Sequence, residues 1–291
     1  MRVAMLGLGL IGGSVARALA LVRSDPPVVV AWSPRGDGPA AAVREGVVSR
    51  AARSPEEAIT GADLVILAAP ATACLTLLDG LGGSWRGGVT PETVVTDVAS
   101  TKGAIVARAR ERGVRFVGGH PMTGRETDGF DASTADLFID RPWVVIPAAE
   151  DDVATGRVED LARLMGARPL RMDAATHDSI VAAISHLPLV VAASLVEAVA
   201  GGREGVRADW ADAAGLAANG WRDSTRVARG DPAMGASIAA TNAPAIASRL
   251  RDMIRVLETW AVALEDVDGP DEDRLAARLR VARDRLAENG L

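Results

Sequence analysis

The strongest constraint on this chain sits at its very start. Residues 3–6 are apolar and run directly into Gly7-Leu8-Gly9-Leu10-Ile11-Gly12-Gly13-Ser14, after which apolar residues continue to 22. A strand, a glycine-rich turn and a helix in that order are the opening of a βαβ unit that binds a dinucleotide. The glycines do different things. Gly7 allows the tight turn, Gly9 lets the backbone approach a pyrophosphate, and Gly12 lets helix and strand pack closely. Leu10 and Ile11 open the helix, whose free N–H groups and positive dipole end face the phosphates.

The rest of the first half repeats this grammar. Residues 28–32, 64–68, 94–96, 114–117 and 143–146 read as strands, with helical stretches at 13–22, 39–45 and 102–111 among them. Runs apolar at nearly every position suit strands covered on both faces. Strands alternating with helices predict a parallel sheet. A helix over 153–165 and a strand over 169–172 close this half. After Asp173 the period changes. Ile180, Ile184, Leu187, Val191, Leu195 and Val199 recur at helical spacing. Residues 206–227, 233–264 and 271–288 also read as helical, broken by Gly-Asp-Pro at 230–232 and Asp-Gly-Pro at 268–270. The fold class is therefore α/β: an N-terminal Rossmann-type dinucleotide-binding domain, residues 1–171, followed by an all-helical domain, residues 172–291.

Charge and cysteine content narrow the function classes. The net charge of -6 argues against non-specific nucleic-acid or anionic-membrane binding. The single cysteine, Cys74, excludes an intrachain disulfide and a cysteine-based zinc cluster; no metal site is expected. Residues 1–20 resemble a weak signal peptide, but four glycines interrupt the apolar run. Residues 180–200 approach the length of a membrane span, yet contain His186, Pro188 and Glu197, and read as a buried helix. The expectation is a cytoplasmic protein with no membrane or nucleic-acid partner.

The second strand ends in Trp32-Ser33-Pro34-Arg35. An NAD site would place an acidic residue there for the ribose 2′-hydroxyl. Ser33 and Arg35 suit a 2′-phosphate instead, so NADP is favoured over NAD, with Asp37 as the residue that could reverse this. Two later loops follow strands: 97–103, with Ser100 and Lys102, and 118–126, with Gly118-Gly119-His120-Pro121. In an open α/β sheet, ligands bind beyond the carboxyl ends of the strands. A neutral His120 could accept a proton from an alcohol as hydride leaves its carbon. Ser100 could bond the same hydroxyl, or cap the helix that follows.

In these motifs the chain resembles the prephenate/arogenate dehydrogenase family of tyrosine biosynthesis. The likeness runs in order through the glycine loop, Asp97-Val-Ala-Ser-Thr-Lys-Gly103, Gly118-Gly-His-Pro-Met-Thr-Gly-Arg-Glu126, Ser185-His-Leu-Pro188 and Gly220-Trp-Arg-Asp-Ser-Thr-Arg-Val-Ala228. It implies oxidative decarboxylation of a cyclohexadienol: hydride passes from the carbinol carbon to the nicotinamide, the ring carboxylate leaves as carbon dioxide, and the ring becomes aromatic. By the same resemblance His120 takes the hydroxyl proton, with Ser100 alongside. Arg226 holds a substrate carboxylate. Glu126 and Asp223 interact with basic groups around the pocket entrance, or form simple surface pairs. His186 lines the pocket or is a core residue, and the role of His177 stays open. Family members pair through the helical domain, so the resemblance implies a homodimer.

Two departures bear on substrate. Prephenate-using relatives often carry a histidine where Leu189 stands, and a tryptophan where Gly235 stands. Their replacement opens arogenate, or another amino-substituted analogue, beside prephenate. One rival reading is a β-hydroxyacid-dehydrogenase-type enzyme, which would use a lysine in the helical domain; this chain has no lysine after Lys102. Another is a sensor that binds NADP without chemistry.

Overall fold

The computed structural model of the chain describes residues 1–125, 127–201 and 210–288. By compactness the chain forms two units, Met1–Ile246 and Ala247–Leu291.

The first unit is built on an eight-stranded sheet. Its strands are β1 (Arg2–Leu6), β2 (Val28–Trp32), β3 (Arg50–Ala51), β4 (Leu64–Leu67), β5 (Val94–Asp97), β6 (Phe116–Pro121), β7 (Pro142–Ile146) and β8 (Arg168–Arg171), in the spatial order β3-β2-β1-β4-β5-β6-β7-β8. Chain order reverses between β1 and β4, which opens a crevice at the carboxyl ends of these two strands. The helices that cross between strands are α1 (Leu10–Ala20), α2 (Asp37–Arg44), α3 (Pro55–Ile59), α4 (Ala71–Gly82), α5 (Gly103–Glu111) and α6 (Asp152–Leu164). The strand period sorts the core. Val3 and Met5 point into one apolar layer with Val15 and Leu19 of α1 and Val158 of α6. Ala4 and Leu6 point into the other, with Ile59, Cys74, Leu78 and Ile105. Both faces are thus covered, as the unbroken apolar runs required.

The sheet carries a short edge strand, β3, that the sequence pattern does not predict, and differs from the sequence expectation in two further respects. It is parallel except at one junction, where β6 pairs antiparallel with β7. The predicted strand 114–117 also extends past its glycines to Pro121, so His120 lies on a strand, opposite Val144, and not in a loop. Glycine weakens strand propensity, but here the missing side chains let β6 pass close to its neighbours. A Cβ on Gly119 would fall 2.5 Å from the Asp97 carbonyl oxygen and 3.1 Å from the Trp143 indole nitrogen.

From residue 172 onward the described residues are helical or irregular. α7 (Ala174–Val181) passes through a π-helical turn, Ala182–His186, into α8 (Leu187–Ala200). Pro188 lacks an N–H and cannot close the ordinary i→i−4 bond, and the helix widens in the turn before it. The expected helix 206–227 is broken where it is described: α9 (Trp210–Ala213), α10 (Asn219–Thr225) and two 3₁₀ turns replace it, with Gly215 and Gly220 in the interrupted stretch. The stretch 233–264 is likewise divided at Asn242 into α11 (Pro232–Thr241) and α12 (Ala243–Leu264). In the second unit, Arg278 of α13 (Glu272–Glu288) lies 4.0 Å over the Trp260 ring, a cation–π contact.

The apolar run expected to be a buried helix is not buried within one chain. It forms a helix long and apolar enough to cross a membrane, Ala174–Ala200, of which 22% of the most apolar window is buried. Ile180 and Ile184 stand exposed on it. Among the described residues of one chain, much of this surface is left uncovered.

Candidate active site

The glycine loop forms the first part of the site. Gly7 has φ +102, and a Cβ there would run into the Ala68 carbonyl at the end of β4. Only glycine meets both demands. A Cβ on Gly12 would fall 2.5 Å from the Gly7 oxygen and 2.8 Å from the Ala68 side chain, so α1 can approach β4 only at a glycine. Around Gly9 the space is open, and no side chain caps the start of α1. The unclaimed N–H groups of that first turn and the clear approach at Gly9 fit a dinucleotide pyrophosphate. Gly13 has a different neighbour: Phe130 and Ser133 pack where its side chain would be. Arg17 holds that segment down, donating to Ser133 Oγ at 2.8 Å and lying 4.4 Å over the Phe130 ring.

Ser33 is half-buried just after β2, and Arg35 is exposed. Asp37 is the first residue of α2, beyond Gly36, whose φ of +78 turns the chain.

A buried ion pair lies where β5 and β6 end. Lys102 Nζ donates to Asp97 Oδ2 and, at 2.7 Å, to the Gly119 carbonyl. Both side chains are completely buried. Asp97 also accepts the N–H groups of Ala99 and Gly119, each at 3.1 Å. Burial pushes the Asp97 carboxyl up, against the pull of the Lys102 ammonium and these N–H groups. The pair fixes the Ser100 loop against the strand that carries His120.

The three histidines converge beside this pair. His120 Nδ1 lies 2.8 Å from His177 Nε2, with the rings edge to face. His177 Nδ1 lies 2.8 Å from Asp178 Oδ1. That carboxylate also accepts the backbone N–H of Lys102 at 2.8 Å and of Gly103 at 2.7 Å. Burial works to raise the Asp178 pKa, but the bonds from His177, Gly103 and Lys102 outweigh it and hold the carboxyl below its usual range. Asp178 therefore caps α5, and Ser100, half-buried two residues earlier, is not the cap. Asn242 Nδ2 donates to the Asp178 carbonyl at 2.8 Å and lies 3.2 Å from His186 Nδ1. His186 is buried, and among the described residues its Nε2 has no partner.

The charge balance keeps two of these rings neutral. Burial lowers the His120 pKa well below the ordinary histidine value, helped by the Lys102 charge and then by His177 and His186. Burial lowers His186 to about 4, with Asp178 opposing and His177 assisting. Asp178 also decides the tautomers. A carboxylate only accepts, so His177 donates from Nδ1. With His177 neutral, its Nε2 accepts from His120 Nδ1–H. The free nitrogen of His120, Nε2, is then a lone-pair acceptor, the form a general base needs.

The other expected residues lie elsewhere. Asp223 on α10 and Arg226 in the turn after it are exposed, on a segment that packs against α8. Glu126 lies outside the described residues. Leu189 and Gly235 are neighbours: a Cβ at 235 would lie 3.5 Å from Leu189 Cδ2. The two departures noted in the sequence thus occupy one place. Asp178, Asn242 and Asp97 were not picked out by their sequence pattern; only the adjacency of Asp178 to His177 was available as a hint.

The sequence profile described as the nucleotide-binding domain of prephenate dehydrogenase matches residues 18–170, and the one described as its dimerization domain matches residues 173–281. Prephenate dehydrogenase of Bacillus subtilis (strain 168) is 32% identical over 287 residues, covering 97% of this chain and 75% of that protein. The crystal structure of Synechocystis arogenate dehydrogenase superposes with a TM-score of 0.75 at 30% identity, covering 98% of this chain and 99% of that one. Prephenate dehydrogenase from A. aeolicus, in complex with hydroxyphenyl propionate and NAD+, has the same fold, with a TM-score of 0.83 at 23% identity over 99% of this chain and 98% of that one.

Proposed function

This chain belongs to the prephenate dehydrogenase family, and from that premise we propose that it oxidatively decarboxylates prephenate or arogenate with His120 as its proton acceptor. The observation that carries the reading is the run of bonds from Asp178 through His177 to His120, which leaves His120 Nε2 as an acceptor on a neutral ring. Bound nicotinamide nucleotide supplies the hydride acceptor. Gly7, Gly9, Leu10, Ile11 and Gly12 would hold its pyrophosphate and Ser100 its nicotinamide end.

His120 takes the carbinol proton as hydride departs from the same carbon. Loss of the ring carboxylate as carbon dioxide leaves its electron pair in the ring, which becomes aromatic with a phenolate oxygen. His120 then returns its proton to that oxygen, and the site ends in its starting protonation state. The growing imidazolium charge is stabilised by donation through His177 to the Asp178 carboxylate. Ser100 hydrogen-bonds beside the reacting hydroxyl. Arg226 grips a substrate carboxylate through its planar fork, with His186 lining the pocket and Glu126 and Asp223 at its entrance.

NADP is the favoured cofactor, since Ser33 and Arg35 follow β2 while Asp37 has moved on into α2. Arogenate stands beside prephenate as a substrate because Leu189 and Gly235 make one apolar, uncrowded spot. The working form is a homodimer, with the exposed face of Ala174–Ala200 covered by a second copy. The functional boundary lies at 171/172, between the nucleotide-binding and helical parts. A cytoplasmic location suits the one free, buried cysteine.

The test is a set of initial rates of reduced-cofactor formation, crossing prephenate and arogenate with NAD and NADP. Turnover with either acid supports the reading, and a higher kcat/KM with NADP supports the cofactor preference. Tight cofactor binding without turnover of either acid would make the chain a sensor and overturn it.

A further inference from the structure

The unpartnered nitrogen of His186 and the amide of Asn242 carry an inference that the histidine relay does not contain. Asn242 Nδ2 lies 2.8 Å from the Asp178 carbonyl oxygen. A carbonyl only accepts, so this atom is the amide nitrogen and not the oxygen. The same nitrogen lies 3.2 Å from His186 Nδ1. Its second hydrogen points to that ring nitrogen, which must then be a lone pair. A neutral imidazole has one N–H, so in His186 it is on Nε2. Burial keeps the ring neutral, with its pKa down at about 4. The result is a buried N–H donor, in a side chain 1% exposed, with no acceptor among the described residues. Leaving a buried donor unsatisfied costs about 1–3 kcal/mol, a cost that an oxygen of a bound ligand would remove.

We propose that Asn242 is a positioning residue that fixes His186 as an Nε2–H donor, and that this donor binds a carboxylate oxygen of the cyclohexadienol substrate. The inference rests on the dehydrogenase reading for the identity of its ligand, but the tautomer does not. Asp178 is the common origin of both histidine characters. Its carboxylate makes His120 an acceptor through His177, and its carbonyl makes His186 a donor through Asn242. One side of the site thus takes a proton while the other donates a hydrogen bond, and neither ring carries a charge in the resting enzyme.

The substrate presents two carboxylates, one on the ring and one on the side chain, and the experiment separates them. With only three histidines in the chain, ¹⁵N–¹H two-bond correlation spectra of the full-length protein resolve each ring, with His186→Gln providing the assignment. The free protein is expected to show His186 as the Nε2–H tautomer, and Asn242→Leu to mix the two tautomers. Adding prephenate without nucleotide is expected to move the His186 Nε2–H resonance downfield and slow its exchange with water. A matching shift with 3-(4-hydroxyphenyl)propionate, which keeps only the side-chain carboxylate, assigns the contact to the side chain. A shift with prephenate alone assigns it to the ring. In steady state, His186→Leu and Asn242→Leu are expected to raise KM about tenfold or more while changing kcat less. His186→Gln, whose amide nitrogen replaces Nε2–H, is expected to recover most of that affinity. An Nδ1–H tautomer in the free protein overturns the proposal. So does a His186 resonance that ignores both acids in an enzyme that turns prephenate over, or an unchanged KM in both leucine variants. A failure of the dehydrogenase reading would look different: no turnover with any substrate and cofactor pair, with the His186 tautomer as stated.

Discussion

The glycine loop and the histidine cluster lie at the same edge of one sheet and are built by opposite means. The loop is backbone. Its parts sit within a few residues of each other, its space is open at Gly9, and its donors are the uncapped N–H groups of α1. The cluster is side chain. Asp97, Lys102, His120, Asp178, His186 and Asn242 come from several elements, are largely buried, and bond to one another, with His186 Nε2 the one buried side-chain atom among them left unpartnered by the described residues. The difference has a chemical reason. Phosphates are bound well by fixed dipoles in any protein that supplies them. A proton acceptor must have a set tautomer and a pKa suited to its reaction, and only a bonded, partly dry environment sets both.

The largest break in this comparison should come from His120→Asn. It removes the acceptor while leaving the glycine loop intact, so kcat is expected to fall by about 10²–10⁴-fold with nucleotide affinity, by fluorescence titration, little changed. Near-normal turnover would place the base elsewhere. The same ring sharpens the pH behaviour. Because burial lowers the His120 pKa, the unliganded enzyme keeps its base deprotonated below pH 6.5, and the acid limb of kcat/KM should lie under that value. Stability follows the same sign. The unfolded chain takes up protons near the ordinary histidine pKa while half-buried His120 and buried His186 do not. Stability should therefore fall as pH drops below about 6.5, by up to roughly 1.4 kcal/mol per pH unit for each ring, until the folded pKa is reached. A thermal melting temperature that stays flat from pH 7 to pH 4.5 would contradict this.

Next in size is Gly7→Ala. The positive φ and the collision with the Ala68 carbonyl are together expected to cost on the order of 2–4 kcal/mol of stability, read by urea unfolding, and to weaken nucleotide binding with it. Asp178→Asn should follow. It removes the anion that fixes His177 and caps α5, and kcat should drop by roughly 10²-fold with KM less affected. A drop confined to KM would mean that Asp178 holds substrate and does not govern the relay. Arg35→Ala is expected to be the mildest, raising KM for NADP by about tenfold and leaving NAD almost untouched. An equal effect on both nucleotides would remove Arg35 from 2′-phosphate recognition.

The two regions were also unequally legible. Gly7, Gly9 and Gly12 announce their roles by spacing, because a turn and a helix start depend on near neighbours. His120 could be singled out, but its place on β6 could not. Strand propensity disfavours Gly118 and Gly119, and only pairing with β7 draws the strand through them. Lys102, the one lysine in the chain, stood out by rarity, yet its partner Asp97 did not, since an acidic residue at the end of a strand has many uses. The apolar run at 180–200 was visible as a helix. Whether it was buried was not, because burial depends on what surrounds it.

The sequence by itself determined the alternation of strands and helices, the nucleotide-binding turn and the change of period after Asp173. These rest on hydrophobic spacing and on backbone conformations that only glycine adopts cheaply. Tertiary structure decided that His177 stands behind His120, that Asp178 bonds to the first N–H groups of α5, and that Asn242 reaches both Asp178 and His186. Those contacts span 56 to 76 residues of chain, apart from the neighbouring pair His177 and Asp178. A hydrogen bond over such a separation leaves no periodic trace. It depends on distance and direction in the folded chain, and these exist only once the sheet has brought the carboxyl ends of its strands together.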